Sequence, residues 1–332
     1  MAPTEFHIFL FSRSLSECKI TLSSSSIAII HLPKELQRVY WKPANWPVLF
    51  GLGLLHLLSF LPLRVLRRIG RSVGRLLYKV SRRRRHIARV NLQLCFPDMS
   101  PEKRQQLLVE VFENTGMGLL ELAWCWYASI PRLEKSFDIH GLEHIRKAQQ
   151  QGHGVLLLSF HLTSLELGGT MLATRQKDII AMYRPHKNPI FEHAMTSGRA
   201  RVLEPVDRAD IRKVVSVLKK KKVVWYAADQ NYGIKQGVFV PFFGIPAATI
   251  TATSWFAKKG NAIVIPMTHR RSEKGMDISI HPPLENFPSG DDTQDAATNM
   301  AFLENYLKQY PADYMWVHRR FKTRPEGESG VY

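Results

Sequence analysis

A histidine and an acid that closely follow an apolar run are the two residues of this chain best placed for chemistry. The run "GVLLLSF", residues 154–160, is followed at once by His161, and Glu166 comes five positions later. On one continuous helix, residues five apart point about 140° away from each other and do not meet. We therefore expect His161 in the turn after a strand and Glu166 in the first turn of the next helix.

Such a pair is suited to moving a proton. A carboxylate beside a histidine fixes the imidazole tautomer and stabilises the imidazolium, and the imidazole then takes a proton from an alcohol that attacks an acyl group. No Ser or Cys stands in a nucleophile-elbow motif, which favours direct transfer over a covalent acyl-enzyme. The alternative is an ordinary helix start, because Thr163 to Glu166 also match a capping box with Thr163 as the N-cap.

Apolar runs and helical patterns alternate in the second half of the chain. We predict strands at 154–160, 178–184, 222–229 and 261–270, with helices at 164–176, 208–220 and 249–259. This alternation is typical of an α/β fold with a mainly parallel central sheet flanked by helices. Sites in such sheets lie at the carboxyl ends of the strands, where His161, Arg184 and Asp229 fall.

The N-terminal third predicts contact with a membrane. Residues 46–63, "WPVLFGLGLLHLLSFLPL", are apolar over about the length that spans a bilayer, and a cationic run follows, which places the remainder on the cytoplasmic side. Residues 64–80 have the pattern of a basic amphipathic helix that lies on anionic headgroups. A buried core helix or a half-inserted helix is the alternative for 46–63.

These patterns divide the chain into three parts. Residues 1–36 are predicted to be a poorly ordered extension, because they contain "SSSS" and little helical periodicity. Residues 37–90 form the membrane anchor and basic amphipathic segment, and residues 91–332 form the cytoplasmic α/β domain. Within the last part, "PDMSPEKRQQLLVEVFENTGMGLLELAWCWY" predicts a helix with Ser100 as N-cap and Pro101 as its first residue.

The bulk composition restricts the class of protein. A hydrophobic content of 45% excludes a chain that is disordered by composition. The formal net charge of +18 predicts an acidic partner: nucleic acid, anionic lipid, an acidic protein or an acidic substrate. The three cysteines, Cys18, Cys95 and Cys125, have neither metal-ligand nor redox spacing, so we expect reduced thiols in a cytoplasmic compartment.

One stretch has the letters of a zinc motif. Residues 140–144, "HGLEH", match the H-x-x-E-H pattern of some zinc peptidases. That pattern needs both histidines on one face of a continuous helix. His140 ends a strand-like run and Gly141 follows at once, so we expect a turn between His140 and His144. We therefore predict neither a metal nor a cofactor.

Several longer stretches together resemble one enzyme family, the late acyltransferases of lipid A biosynthesis. The stretches are "RRRRHIARVNLQLCFPDMS", "SFHLTSLELGG", "YRPHKNP", "VVWYAADQNYG", "VFVPFFGIPAATITATSWFAKKGNA" and "YMWVHRRFKTRPEGE". The resemblance runs from about residue 38 to the C-terminus and is strongest to the lauroyl-type enzymes. Residues 1–36 have no recognised counterpart. The histidine-x4-acid spacing by itself also resembles the motif of glycerolipid acyltransferases, whose fold we therefore expect.

The resemblance implies an enzyme of the bacterial inner membrane with its catalytic domain on the cytoplasmic side. Such an enzyme moves a fatty acyl chain, here laurate, from acyl carrier protein to a hydroxyl of a 3-hydroxyacyl chain of Kdo2-lipid IVA. Its partners would be acyl carrier protein, the lipid A precursor and anionic membrane lipid, but not nucleic acid. Two alternatives stay open: an acyltransferase for another glycolipid or lysophospholipid, and a non-enzymatic basic protein that binds membranes or nucleic acid.

Roles follow for the catalytic pair and for the strand ends. His161 is the expected general base and Glu166 its orienting partner. Arg184 is a candidate for binding a phosphate or polarising the thioester carbonyl, with a surface arginine as the alternative. Asp229 and Gln230 are candidates for hydrogen bonds to the donor or to Arg184, with a structural turn as the alternative.

Two further stretches are candidates for substrate binding. Residues 240–251, "VPFFGIPAATIT", read as a loop that leads into a helix capped near Thr249, whose amides would receive an anion. Phe242 and Phe243 in that loop either line an acyl channel or pack in the core. Arg319 and Arg320 belong to a C-terminal basic cluster that either recognises phosphate or forms a solvated tail.

Overall fold

The computed structural model describes residues 39–40 and 42–332, so the extension predicted for 1–36 lies outside the described residues. Helices occupy the first part of the described chain. After a short 3-10 helix at Pro43–Asn45 they are α1 Trp46–Leu58, α2 Leu63–Val80, α3 Arg82–Cys95, α4 Pro101–Tyr127 and α5 Ile130–Glu134. Ser100 caps α4 as predicted, because its hydroxyl accepts a hydrogen bond from the Lys103 amide.

Strands and helices alternate in the remainder. The elements are β1 Phe137–His140, α6 Leu142–Gln150, β2 Gly154–Ser159, α7 Leu165–Arg175, β3 Ile179–Tyr183, α8 Pro189–Ala200, β4 Glu204–Asp207, α9 Ile211–Lys219, β5 Val223–Ala227, β6 Gly237–Phe242, β7 Ile245–Ile250, α10 Ala252–Gly260, β8 Ala262–Arg271, β9 Met276–Ile280 and α11 Asp292–Gln309. The four predicted strands and three predicted helices are all present. The turn predicted inside "HGLEH" is also present, since β1 ends at His140 and α6 begins at Leu142.

Seven strands form the central sheet in the order β1-β9-β8-β2-β5-β3-β4. Strands β8, β2, β5, β3 and β4 run parallel, whereas β9 is antiparallel to β8. All six residues of β2 are buried, because helices cover both faces of a parallel sheet and its central strands are apolar throughout. The predicted α/β class with a mainly parallel sheet flanked by helices is confirmed.

The prediction for 240–251 is wrong. These residues form most of an antiparallel hairpin of β6 and β7, and α10 begins only at Ala252. The two-residue turn consists of Phe243 and Gly244, whose φ angles are +52° and +75°. Tight hairpin turns favour positive φ at both central residues. A phenylalanine rarely takes that conformation. The sequence therefore gave no signal for a tight turn at this position.

The predicted membrane helix at 46–63 is not present as one element. Helix α1 ends at Leu58, and Pro62 immediately precedes α2. Proline has no amide hydrogen and disfavours helical conformation in the residue before it. The 13 residues of α1 extend about 20 Å, against about 30 Å for a bilayer core. In the part of the chain that the structure describes, no helix is long and apolar enough to cross a membrane.

Helix α2 confirms the amphipathic helix predicted for 64–80, and small residues set its distance from α4. Gly70 and Gly74 are buried where α2 crosses α4. A Cβ atom on Gly74 would lie 2.2 Å from the Phe112 carbonyl oxygen, and one on Gly116 would lie 2.4 Å from the Gly74 nitrogen. The two backbones are in contact, so no side chain fits between them.

We expect Gly74→Ala to destabilise the protein by about 1–3 kcal/mol, because the added methyl group overpacks the α2–α4 crossing. Gly53→Ala in α1 is the matched control, since nothing lies within 4 Å of a Cβ at Gly53. That change should be neutral or stabilising by up to about 1 kcal/mol, as alanine favours helix. Urea unfolding in detergent measures both. Equal stability of the two variants would contradict the tight crossing.

Candidate active site

The register of two neighbouring strands brings a histidine and an acid together. Strands β2 and β5 pair in parallel with Ser159 opposite Ala227. Two residues beyond each of these positions stand His161 and Asp229. The sequence placed both residues at strand ends. The strand order of the sheet makes them neighbours.

His161 is held at three points. Its amide donates to Asp229 Oδ1 over 2.9 Å, its Nδ1 lies 2.8 Å from the same oxygen, and its carbonyl accepts from the Met315 amide over 3.1 Å. The imidazole retains 20% of its exposure, while Asp229 has none. Backbone and ring are therefore fixed, with one edge of the ring open to solvent.

Asp229 stays ionised despite complete burial. Burial by itself raises the pKa of this carboxyl, but the His161 imidazole, the His161 hydrogen bonds and the Tyr314 hydroxyl hold its pKa below the ordinary value. The Tyr314 hydroxyl donates to Oδ2 over 2.9 Å. An ionised carboxylate only accepts hydrogen bonds. Nδ1 of His161 therefore carries a proton, and in the neutral imidazole Nε2 then has a lone pair that can accept another.

The expectation that Glu166 orients His161 is corrected by the geometry. Among the described residues, Glu166 forms hydrogen bonds to Arg199 and Trp126 and none to His161. Arg199 approaches it in bidentate fashion, with Nε to Oε1 at 2.8 Å and Nη2 to Oε2 at 2.6 Å. Burial lowers the pKa of the Arg199 guanidinium, but the neighbouring Glu166 carboxylate outweighs this and raises the pKa above its ordinary value. Asp229 occupies the position beside the imidazole that we predicted for Glu166.

The predicted capping box is also absent. Helix α7 begins at Leu165 with Ser164 as its N-cap, and no side chain caps it. The Thr163 hydroxyl instead accepts from Arg271 over 2.9 Å, and the Ser164 hydroxyl lies 2.9 Å from His269 Nδ1. Burial and the nearby Arg271 lower the pKa of His269 to about 3, so this ring is neutral. The turn after His161 is thus anchored to β8.

The structure brings only some of the predicted binding residues to this pair. Arg184 is exposed after β3 and, within the described chain, forms no ion pair, so Asp229 does not hold it. Gln230 is half-buried beside Asp229. The Arg319 guanidinium lies 5.1 Å from the centre of the Tyr332 ring.

Arg320 does not lie at the surface, where a substrate phosphate would reach it. The residue is fully buried, and its guanidinium donates to the Ala248 carbonyl over 2.6 Å and to Thr249 Oγ1 over 2.7 Å. This arginine therefore fastens the C-terminal segment to the β6–β7 hairpin. The local sequence looked like a charged tail because it gives no sign of that long-range contact.

Two side chains at the site, Tyr314 and Arg199, had no sequence signal of their own, whereas His318 was expected in the C-terminal basic cluster. Tyr314 and Arg199 are distant in sequence from the groups that they hold. His318 accepts a long hydrogen bond from the Asn231 amide. Burial lowers its pKa to about 4. His318 is therefore a neutral neighbour of His161 and not part of a cationic cluster.

The fold and the site define a class: an α/β protein in which a buried carboxylate holds a histidine at the carboxyl edge of the sheet, an arrangement suited to general-base chemistry. Comparison with known proteins gives the family. Residues 34–323 match the family described as bacterial lipid A biosynthesis acyltransferase. The chain belongs to this family.

Individual relatives cover nearly the whole chain. The lipid A biosynthesis palmitoleoyltransferase of Escherichia coli (strain K12) is 38% identical over 302 residues, which is 90% of this chain and 98% of the relative. The lauroyltransferase of the same organism is 38% identical over 87% of this chain and 96% of its own. The myristoyltransferase is 26% identical over 90% and 94%. The chain is thus a lipid A biosynthesis acyltransferase.

We expect Asp229→Asn to lower kcat by about a thousandfold, because an amide no longer fixes the tautomer that leaves Nε2 free. KM should change little, since the imidazole remains in place. Tyr314→Phe is the matched control: it removes one hydrogen bond from the same carboxylate and should cost about tenfold. Steady-state acyl transfer measures both. Equal losses in the two variants would show that Asp229 acts only through packing.

Proposed function

We propose that this chain transfers laurate from acyl carrier protein to the hydroxyl of a 3-hydroxyacyl chain of Kdo2-lipid IVA. The observation that carries the proposal is the His161–Asp229 pair, in which Nδ1 lies 2.8 Å from the carboxylate and the imidazole stays partly exposed at the edge of the sheet. An imidazole in that state accepts a proton from an alcohol at neutral pH. The family match supplies the lipid A pathway in which this chemistry is used.

The reaction needs one base and one leaving thiol. His161 Nε2 removes the proton from the acceptor hydroxyl as its oxygen attacks the thioester carbonyl. The new C–O ester bond forms, the C–S bond breaks, and the imidazolium returns the proton to the departing thiolate of the carrier. Asp229 stabilises the imidazolium during these steps. No metal or cofactor takes part in this scheme.

Glu166 and Arg199 form a second proposed catalytic unit. Their bidentate ion pair lies at the first turn of α7, at the same edge of the sheet as His161. Glu166 fixes the guanidinium, and the planar fork of Arg199 is a donor set suited to an oxyanion. We propose that Glu166 takes part in catalysis through Arg199, its ion-pair partner, and not through His161. Arg184 and Gln230 remain candidate contacts to the substrates.

Donor and acceptor are assigned from the chemistry and from the resemblance. Acyl carrier protein is acidic, and Kdo2-lipid IVA bears phosphates and carboxylates, so both meet a chain with a net charge of +18. The relatives named for lauroyl and palmitoleoyl transfer are equally identical to this chain. The stretches of sequence that resemble the lauroyl-type enzymes favour laurate.

We further propose that the enzyme lies on the cytoplasmic face of the inner membrane through residues 37–90. Helix α1 presents a face about 80° wide of exposed apolar residues: Trp46, Phe50, Leu54 and Leu57. A second exposed stripe runs along α2, formed by Val65, Ile69, Leu76 and Val80. Apolar faces beside arginines are typical of helices that insert into the headgroup region without crossing it. Residues 91–332 then form the catalytic domain.

Acyl transfer by His161→Ala should fall to background, because the proposed base is gone. Glu166→Gln should retain more activity, since the base remains and the amide oxygen still accepts from Arg199. The assay uses Kdo2-lipid IVA and acyl carrier protein loaded with laurate, palmitoleate or myristate. Wild-type transfer fastest with laurate supports the proposed donor.

Two results would contradict the proposal. Equal transfer by wild type and His161→Ala would remove His161 from the mechanism. Absence of transfer by folded wild type with all three donors would remove Kdo2-lipid IVA or acyl carrier protein from the reaction. Circular dichroism and membrane binding of each variant confirm that the fold is kept.

Membrane contact is tested by introducing negative charge on the α1 face. Phe50→Glu combined with Leu57→Glu should reduce binding to anionic phospholipid vesicles at least about tenfold, because two apolar side chains leave the lipid. Ile211→Glu on α9 is the control: its side chain is 46% exposed but lies on a helix outside 37–90. Flotation assays measure the bound fraction. Equal losses for both proteins would place the membrane contact elsewhere.

A further inference from the structure

A large cavity among the described residues is lined by arginines. It has a volume of about 1100 Å³ and lies between α2, α4, the end of β8 and the 3-10 helix Pro311–Asp313. Six arginines line it: Arg64, Arg67, Arg68 and Arg71 from α2, and Arg270 and Arg271 from β8. We call it the arginine pocket. It is separate from the residues that hold the His161 ring.

The six arginines fall into two sets. Arg67 and Arg271 share the buried carboxylate of Glu121, at 2.7 and 2.9 Å, and form the floor of the pocket. The other four, which form no ion pair with a described residue, are Arg64, Arg68, Arg71 and Arg270. The guanidinium carbon of Arg270 lies 4.4 Å from the centre of the Tyr310 ring. Two fixed cations thus support several that are available to a ligand.

Three carboxylates also line the pocket. They are Glu110, Asp313 and Glu273. Burial raises the pKa of Glu110, as do Asp313 and Glu113. Burial likewise raises the pKa of Asp313, whose carboxylate accepts a hydrogen bond from the Tyr306 hydroxyl. Six arginines thus line the pocket with three carboxylates, two of which are less readily ionised than usual, and a fourth carboxylate, the buried Glu121, pairs with two of the six arginines.

The pocket adjoins the catalytic turn. Arg271 donates to both the hydroxyl and the carbonyl of Thr163, and the Asp313 carbonyl accepts from the Thr163 amide over 2.7 Å. Thr163 follows His161 by two residues, a chain length of at most about 7 Å. Arg271 therefore both lines the pocket and holds the turn that follows His161.

The pocket also adjoins the apolar stripe of α2. On a helical wheel, Val65, Ile69, Leu76 and Val80 span about 60°, and Arg64, Arg68 and Arg71 follow on one flank within about the next 120°. A molecule bound there has anionic groups beside the arginines and apolar chains against the stripe. That combination is the chemistry of an anionic lipid and not of a nucleic acid or a soluble metabolite.

We infer that the arginine pocket binds the phosphorylated, carboxylated sugar headgroup of the acceptor lipid, whose acyl chains extend past the α2 stripe towards His161. This inference rests on the proposed function for the nature of the acceptor. Arginine forms paired hydrogen bonds to phosphate and carboxylate, so the pocket accounts for recognition of the acceptor at a place distinct from the catalytic pair. It also replaces Arg319 and Arg320 as the phosphate-binding set.

The test is Arg68→Ala combined with Arg71→Ala. Each lost charge-assisted hydrogen bond costs about tenfold in affinity, so KM for the acceptor should rise about a hundredfold. KM for acyl carrier protein and kcat at saturation should be unchanged. Arg75→Ala is the matched control: Arg75 is on the same helix, with an exposed side chain that pairs with Glu113 outside the pocket. Its KM for the acceptor should stay within about twofold of wild type.

A binding assay separates this inference from the proposed function. Three kinds of phosphatidylcholine vesicle are compared at equal charge. One kind carries the acceptor, the second the dephosphorylated acceptor, and the third phosphatidylglycerol. We expect the double variant to lose the preference for acceptor vesicles that the wild-type enzyme shows, and so to bind all three kinds of vesicle alike. Equal losses on acceptor and phosphatidylglycerol vesicles would reduce the pocket to a general anionic-lipid contact and overturn the inference.

The combined results are then unambiguous. Normal acceptor KM and normal vesicle binding in the double variant would overturn the pocket and leave the proposed function intact. Arginine-dependent binding of the acceptor by a wild-type enzyme that transfers no acyl group would support the pocket and overturn the proposed reaction.

Discussion

The parallel pairing of β2 with β5 is the constraint on which the active site depends. Because Ser159 stands opposite Ala227, the residues two positions further on meet at the sheet edge, and one of them is a histidine and the other an aspartate. A shift of the register by one residue would separate them and turn one of the two side chains to the other face of the sheet. The antiparallel bridge of Leu162 with Tyr314 then closes the turn and brings the tyrosine to Asp229.

Buried ion pairs fix the surroundings of this edge. Glu121 is fully buried, and burial alone raises its pKa, yet Arg271 and Arg67 hold the pKa below its ordinary value. A buried carboxylate that lost one of these partners would be left inadequately compensated, which costs several kcal/mol. Glu121 thereby ties α2 and α4 to the end of β8. Glu166 and Arg199 make a corresponding connection between α7 and α8.

Local patterns predicted the elements, but not the contacts between distant ones. Apolar runs predicted β2, β3, β5 and β8. The points at which these runs stop placed His161 and Asp229 at strand ends. Strand order depends on packing of the whole chain, so the sequence offered Glu166, five residues away, as the partner of His161. The true partner lies 68 residues away. The prediction that Arg320 lies in an exposed basic cluster is wrong for the same reason. The β6–β7 hairpin was not predicted because Phe243, which forms its turn, adopts a positive φ that is rare for phenylalanine.

The tautomer of His161 is the most direct test of the central claim, because the proposed chemistry requires a proton on Nδ1 and a lone pair on Nε2. Nitrogen-15 NMR of histidine-labelled protein in detergent micelles measures it, with His161→Gln identifying the signal. We expect a protonated Nδ1 and an unprotonated Nε2 at neutral pH, and a loss of this preference in Asp229→Asn. A proton on Nε2 in the wild-type enzyme would contradict His161 as a base held by Asp229.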